Sequence, residues 1–354
     1  MLIYILLLVT ILVLNTLRKN RQVSDRAFCV VICSLFVLIT GLRHNMVGSD
    51  TTGYYLGFYR IANSSLSEII ALEKRDFGFY IFEWLVANIF HDFAAVTFIA
   101  ACVFYIPVTL LIYRYSDDYG MSYLILMAFM FFQFSMTGIR QTMALGFALM
   151  FVLEILKKRK NCLRIAVYVT LGITMHRSCV AILPFILLYV FRKNRFIAHA
   201  CLVLLPVVFV FRGAITNMAL SLFQTVGFDL GGYVGNSGGV TTFLVYLLLF
   251  IWGVFFTSSG ENRCELPPLL LSLMGISTVL QTFVFVNSIF FRVVWYYSIF
   301  MVIYIPKMLT ASKVDRTVFS IMRFIVFSGL LYMYLGITIG SANVLPYRFF
   351  WQGV

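Results

Sequence analysis

Residues 2–17 read LIYILLLVTILVLNTL, a run without a single charge, and runs of this kind recur along the whole chain. They are what most constrains the fold. A soluble domain of 354 residues has too little interior to hide them, so their solvent must be lipid. With 62% hydrophobic residues, 12% charged ones and a mean hydropathy of +0.95, too few charges remain to wet a surface. The runs are continuous rather than alternating, which selects helices over the strands of a membrane barrel. The expected fold is an all-α polytopic integral membrane protein with one transmembrane domain over residues 1–354.

A net charge of +13 would suggest nucleic acid for a soluble protein. Here the Lys and Arg residues cluster in short loops between apolar runs, so they read as membrane topology and no nucleic-acid partner is expected. Arg18, Lys19, Arg21 and Arg26 close the first run and belong in the cytoplasm. That run has no basic flank before it and no small-residue cleavage pattern, so it reads as a retained helix. A second run, 27–42, returns outward to an outer segment at 43–92. Within it, 77–92 reads as an amphipathic helix, with Asp76, Tyr80, Glu83, Ala87 and His91 near one face. Counting it as a span would misplace the later basic loops, so it is expected not to cross. Further runs lie at 93–113, 121–156, 162–176, 178–191, 197–211, 241–257, 267–287, 291–308 and 318–337. The run 121–156 is too long for one span at ~1.5 Å per residue across ~30 Å. It must bend, and its polar break is Ser135 to Gln141. The expectation is about twelve spans with both ends outside, and a second, Gly-rich outer loop at 212–240. With that topology 18 of the 27 Lys and Arg residues fall inside, the bias that sets orientation.

The isolated polar residues then collect on the outer side. Arg43, His44 and Asp50 follow the second span, Arg140 sits in the bend, His176 and Arg177 form another outer turn, and Arg292 starts a late span. Each also has a plain structural account. Arg140 unpaired at mid-depth would cost at least ~2.5–3.5 kcal/mol, so it needs a carboxylate partner or a wet cavity. Arg292 can snorkel, His176 can cap a turn, and Arg43 and Asp50 can be solvated neighbours. Glu154 has Lys157 and Lys158 one turn on, a helix-end pair. Cys29, Cys33, Cys102, Cys162, Cys179 and Cys201 read as small hydrophobes, and Cys264 stands alone in a loop. Three outer arginines without a cluster of metal-ligating side chains suit a diphosphate, which guanidinium binds through paired hydrogen bonds. A phospholipid headgroup would attract the same residues. Tyr54 and Tyr347 could stack on sugar faces.

The segments GLRHNMVGSDTTGYY at 41–55, RDFGFY at 75–80, MTGIRQTMA at 136–144 and MHRSCVAILP at 175–184 resemble the EpsG-like, Wzy-type bacterial polysaccharide polymerases. FFRVVWYY at 290–297 and NVLPYRFFW at 343–351 extend the resemblance over nearly the whole chain in order. It implies a metal-independent glycosyltransferase of the GT-C type, needing no cofactor, in the bacterial inner membrane with its site facing outward. Its donor and acceptor would be oligosaccharide repeat units on undecaprenyl diphosphate, with a chain-length regulator as a further partner. Carried over by position, Arg43, Arg140 and Arg292 are candidate diphosphate ligands, and Asp50 and His176 candidate catalytic groups for the acceptor hydroxyl. His44, Tyr54, Asp76, Glu83, Arg177 and Tyr347 are candidate substrate contacts. The rival readings are an O-antigen ligase-like transferase, a lipid-linked glycan flippase and a membrane acyltransferase. A transporter would commonly show related halves, and no internal repeat is visible.

Overall fold

A computed structural model of the chain describes residues 1–72, 75–225, 239–258, 265–340 and 342–352. By its contacts the chain forms two compact units, Met1–Val180 with Met322–Val354, and Ala181–Ile321. The described residues are overwhelmingly helical, and the chain is membrane-embedded.

The first unit contains α1 (Leu2–Lys19), α2 (Asp25–Gly41), α3 (Thr51–Ala62), α4 (Leu66–Leu72), α5 (Phe77–Phe90), α6 (Phe93–Tyr115), α7 (Tyr119–Ala128), α8 (Phe131–Ser135), α9 (Ile139–Ile155) and α10 (Cys162–Met175). A 3-10 turn at Arg177–Ile182 leads to the second unit, with α11 (Phe185–Val190), α12 (Phe196–Thr225), α13 (Val240–Phe255), α14 (Pro268–Val284), α15 (Phe291–Ser298) and α16 (Met301–Thr310). The last helix, α17 (Arg316–Gly340), begins in the second unit and ends in the first. Short polar side chains start many of these helices by accepting otherwise unpaired N–H groups: Ser24 for α2, Asp92 for α6, Asp118 for α7 and Asn161 for α10.

Among the described residues, α1, α6, α12 and α17 are long and apolar enough to cross a membrane. A fifth is added if the pair around α15 and α16, bent by 54°, is one span. Most of the other expected spans are present as apolar helices of 17 residues or fewer. The run 121–156 breaks twice. Met130 takes a left-handed φ of 69° between α7 and α8, and Met136 to Gly138 separate α8 from α9. Only the second break carries the polar residues that mark it in the sequence. The expected outer loop at 212–240 differs as well, because α12 continues to Thr225. Arg212 does not end the helix; its guanidinium lies 4.3 Å above the Phe209 ring and 5.8 Å from that of Phe285, where aromatic faces shelter the charge. Residues 226–238 of that loop, with Asp229 and most of its glycines, lie outside the described residues, as does Cys264.

The expected amphipathic helix is α5, and its polar side faces the protein. It buries Phe79, Glu83, Val86 and Ala87, and leaves Phe77, Leu85, Ile89 and Phe90 exposed.

The segment from Leu42 to Ser49 is held by the aromatic tail. His44 N–H donates to Arg348 O (2.8 Å), Phe350 N–H to Leu42 O (2.9 Å), Gly48 N–H to Asn343 O (2.9 Å) and Ser49 N–H to Ala342 O (3.1 Å). Arg43 and Phe349 form an isolated antiparallel bridge. Tyr4 Oη donates to Val344 O (2.9 Å) and Tyr347 Oη to Ile39 O (2.8 Å), so the tail is fixed to α1 and α2. In this way backbone polar groups outside helices find partners. Gly48 has φ +101°, and a Cβ there would stand 2.2 Å from Met136 O.

Gly48→Ala should therefore lower stability by about 1–3 kcal/mol or more, since it combines left-handed strain with a backbone collision. Gly329→Ala, where nothing lies within 4 Å, should be neutral or better. Thermal unfolding of the two purified variants in detergent would check the contrast.

Candidate functional site

Several of the isolated polar residues are organised around the start of α5. Asp76, just before the helix, has a left-handed backbone with φ 51°, a conformation that Asp tolerates better than most residues. Two positions on, Gly78 lets α5 approach α10; a Cβ there would meet Thr174 Oγ1 at 2.5 Å. Together these turn the Asp76 carboxylate inward.

Three donors from two distant segments converge on that carboxylate. Asp76 Oδ2 is 3.0 Å from His176 Nδ1 and 3.3 Å from Arg140 Nη1, and Oδ1 accepts the Arg177 backbone N–H at 3.1 Å. Burial pushes the Asp76 carboxyl up. The His176 hydrogen bond, the charges of His176 and Arg140, and the Arg177 N–H outweigh it and hold the group below its ordinary value. His176 ends α10 with extended backbone (φ −159°, ψ 124°), which turns its ring out of the helix line.

Arg140 lies in the first turn of α9, just after the second break. Its Nη1 also donates to Tyr80 Oη (3.3 Å) and its Nε to Tyr54 Oη (3.4 Å). The guanidinium stands 5.6 Å from the Tyr54 ring and 5.9 Å from that of Tyr80, within cation–π range. Nη2 makes no hydrogen bond among the described residues. Burial raises the Tyr54 phenol, against the pull of Arg140, so it stays a neutral donor and acceptor at physiological pH. A cavity of about 470 Å³ opens beside these groups, lined by Ser49, Asp50, Gly53, Tyr54, Gly57, Arg60, Tyr80, Glu83 and Arg140. Its charged walls are two arginines and two carboxylates, a lining suited to a polar ligand with both an anionic part and hydroxyl groups.

Of the residues singled out from sequence, Asp50, Tyr54, Glu83 and Arg140 line this cavity, and Asp76, His176 and Arg177 attach to it through the Asp76 carboxylate. Arg140 thus has the carboxylate partner that the plain account required, and also a donor to spare. Arg43 is not among the lining residues. It is 2% exposed, and its guanidinium donates to backbone carbonyls. His44 Nδ1 accepts from Met46 N–H (3.2 Å), and Tyr347 is engaged with Ile39, so both belong to the strapped loop. Arg292 is half-buried at the start of α15 in the second unit. Glu154 takes a hydrogen bond from Lys157, as its spacing suggested.

Arg60, Ser49, Gly53, Gly57 and Tyr80 are lining residues absent from the sequence-derived set. A signal for most of them was present. Positions 50, 53, 54, 57 and 60 recur at helical spacing, which places them on one face of α3. Reading 43–92 as an outer segment with a helix only at 77–92 hid that face.

Among comparisons with known proteins, a family model described as the EpsG family matches residues 26–349. No curated protein and no solved structure matches the chain.

The Asp76 pKa is depressed on folding, so its contribution is complete above the unfolded value near ~3.9 and is lost as pH falls through the lower folded value. Asp76→Asn should cost about 1–3 kcal/mol at pH 7. That is less than a fully buried pair, because the Arg140 side chain is 32% exposed. Unfolding followed from pH 7 down to 3 should show the gap between wild type and variant closing at the acid end.

Proposed function

The chain belongs to the EpsG family, and on that premise we propose that it is a polysaccharide polymerase that joins oligosaccharide repeat units carried on undecaprenyl diphosphate. The reaction takes place at the outer face of the bacterial cytoplasmic membrane, within a GT-C-like arrangement of about twelve spans, and uses no metal. A chain-length regulator is the expected partner. The observation that supports this reading most is Arg140. Its Nε and Nη1 are fixed by Tyr54, Tyr80 and Asp76, while Nη2 remains for a ligand in the adjoining cavity.

In the proposed reaction an acceptor hydroxyl attacks the anomeric carbon of the donor sugar. The bond from that carbon to the diphosphate oxygen breaks, and the hydroxyl proton passes to a base. Arg140, joined by Arg60 across the cavity, takes the charge that develops on the departing diphosphate, where fixed donors outperform water because they need no reorganisation. Asp50 receives the proton in this reading, which its exposed position on the cavity wall supports. A second reading gives that role to His176, because a carboxylate on Nδ1 leaves Nε2 as the basic nitrogen. Arg292 remains a candidate diphosphate ligand, and Arg177 a candidate substrate contact.

Arg140→Ala should lower polymerisation by about 10²–10³-fold at normal protein level. The test is deletion of the gene in its host, complementation with wild type or variant, and separation of lipid-linked glycans by size. Accumulation of single repeat units supports polymerisation. Long lipid-linked chains that never reach their final acceptor would favour the ligase, and units held on the cytoplasmic face would favour the flippase. In the same assay the base should lose about 10²–10⁴-fold on neutralisation, in Asp50→Asn or in His176→Gln.

A further inference from the structure

The guanidinium of Arg43 occupies a site of its own beneath the cavity wall. Nη2 donates to Met136 O (2.8 Å), Nε to Val47 O (3.3 Å), and Nη1 to Thr40 O. No carboxylate pairs with it among the described residues. A buried cation without a counter-charge is costly, and what offsets the cost here is dipolar. Thr40 lies in the last turn of α2 and Met136 is the residue that ends α8, so the cation rests on carbonyl groups at two helix carboxyl ends. Lysine has one nitrogen and no planar fork, and could not span three such acceptors in this arrangement.

Met136 O is shared. Thr51 Oγ1 lies 2.7 Å from it and 2.9 Å from Val47 O, its single hydroxyl hydrogen shared between the two, and Gly48 is pressed against the same carbonyl. That carbonyl opens the break from Met136 to Gly138, and Arg140 stands four residues further on, in the first turn of α9. Thr51 opens α3, which carries Tyr54 one turn on. The Met136 carbonyl is therefore where the α3 side of the cavity is joined to the α9 side.

We infer that Arg43 is a positioning residue for Arg140: it clamps Met136 so that Arg140 and Tyr54 meet at the cavity, and it does not contact the substrate. This rests on the role given to Arg140 above. A loss of the clamp lets the break relax and shifts the guanidinium that faces the diphosphate. Displacements on the order of an ångström can cost as much as ~10²-fold in rate.

The experiment is a double-mutant cycle in membranes supplied with lipid-linked repeat units, with initial rates and protein levels measured for Arg43→Lys, Arg140→Lys and the pair. Arg43→Lys should slow turnover about ten- to hundredfold and divide its effect between kcat and KM as Arg140→Lys does. In the Arg140→Lys background it should have little further effect. Thr51→Val, which removes one bond to the same carbonyl, should act in the same direction and less than additively with Arg43→Lys. It also keeps the test open if Arg43→Lys does not fold. Rates that multiply independently, or an Arg43→Lys protein as active as wild type, overturn the inference. Full polymerisation by Arg140→Lys and Arg140→Ala would instead overturn the function proposed for the cavity.

Discussion

One carboxylate organises the polar cluster of the first unit. Asp76 is 8% exposed, and it collects Arg140 from α9, the His176 ring from the end of α10 and the Arg177 backbone N–H. In an apolar surround each of these groups would be expensive alone; together they neutralise and satisfy one another. The pairing, with the Tyr54 hydroxyl on Nε, fixes two of the three Arg140 nitrogens in a defined orientation and keeps a positive charge beside the cavity. A solvent-exposed arginine could bind the same anion, but it would have to give up rotamer freedom to do so.

The cavity wall depends on a second, neutral kind of bonding. The break between α8 and α9 exposes the Met136 carbonyl, which a continuous helix would have used, and side chains from the 41–51 segment take it up. That segment in turn lends its N–H groups to the tail at 342–350. Residues separated by most of the chain therefore form one hydrogen-bonded layer, and the pocket is a product of that layer.

Much of this was legible in the sequence. The apolar runs announced a helical membrane protein, and the motif segments at 41–55, 75–80, 136–144 and 175–184 include the residues that now meet around Asp76 and Arg140. The polar face of α5 was visible as spacing, although spacing alone could not say whether it met water or protein. Arg43 and Arg140 could not be separated, because both are arginines beside polar residues and depth is not written in residue type. What separates them is partners: helix-end carbonyls enclose Arg43, whereas tyrosines and a carboxylate leave one edge of Arg140 open. Met130 was illegible for a related reason. Its left-handed turn comes from the way α7 and α8 connect, and methionine carries no local preference that would mark it. The face of α3 was legible and missed, since glycines at 53 and 57 read as loop until they are placed one turn apart.

The strap of residues 342–350 across 42–49 also sets an order of events. Helices such as α6 and α9 can enter the bilayer as they are made, because the elements they mainly pack against lie in the first half of the chain. The cavity wall has no such independence: its backbone partners are synthesised about three hundred residues later. Contacts of that separation close slowly and late. A nascent chain would thus present an unformed pocket while the intervening helices insert, and would acquire a binding surface only once the 342–350 segment has been made. Partly made copies sharing the membrane with finished ones would not compete for substrate.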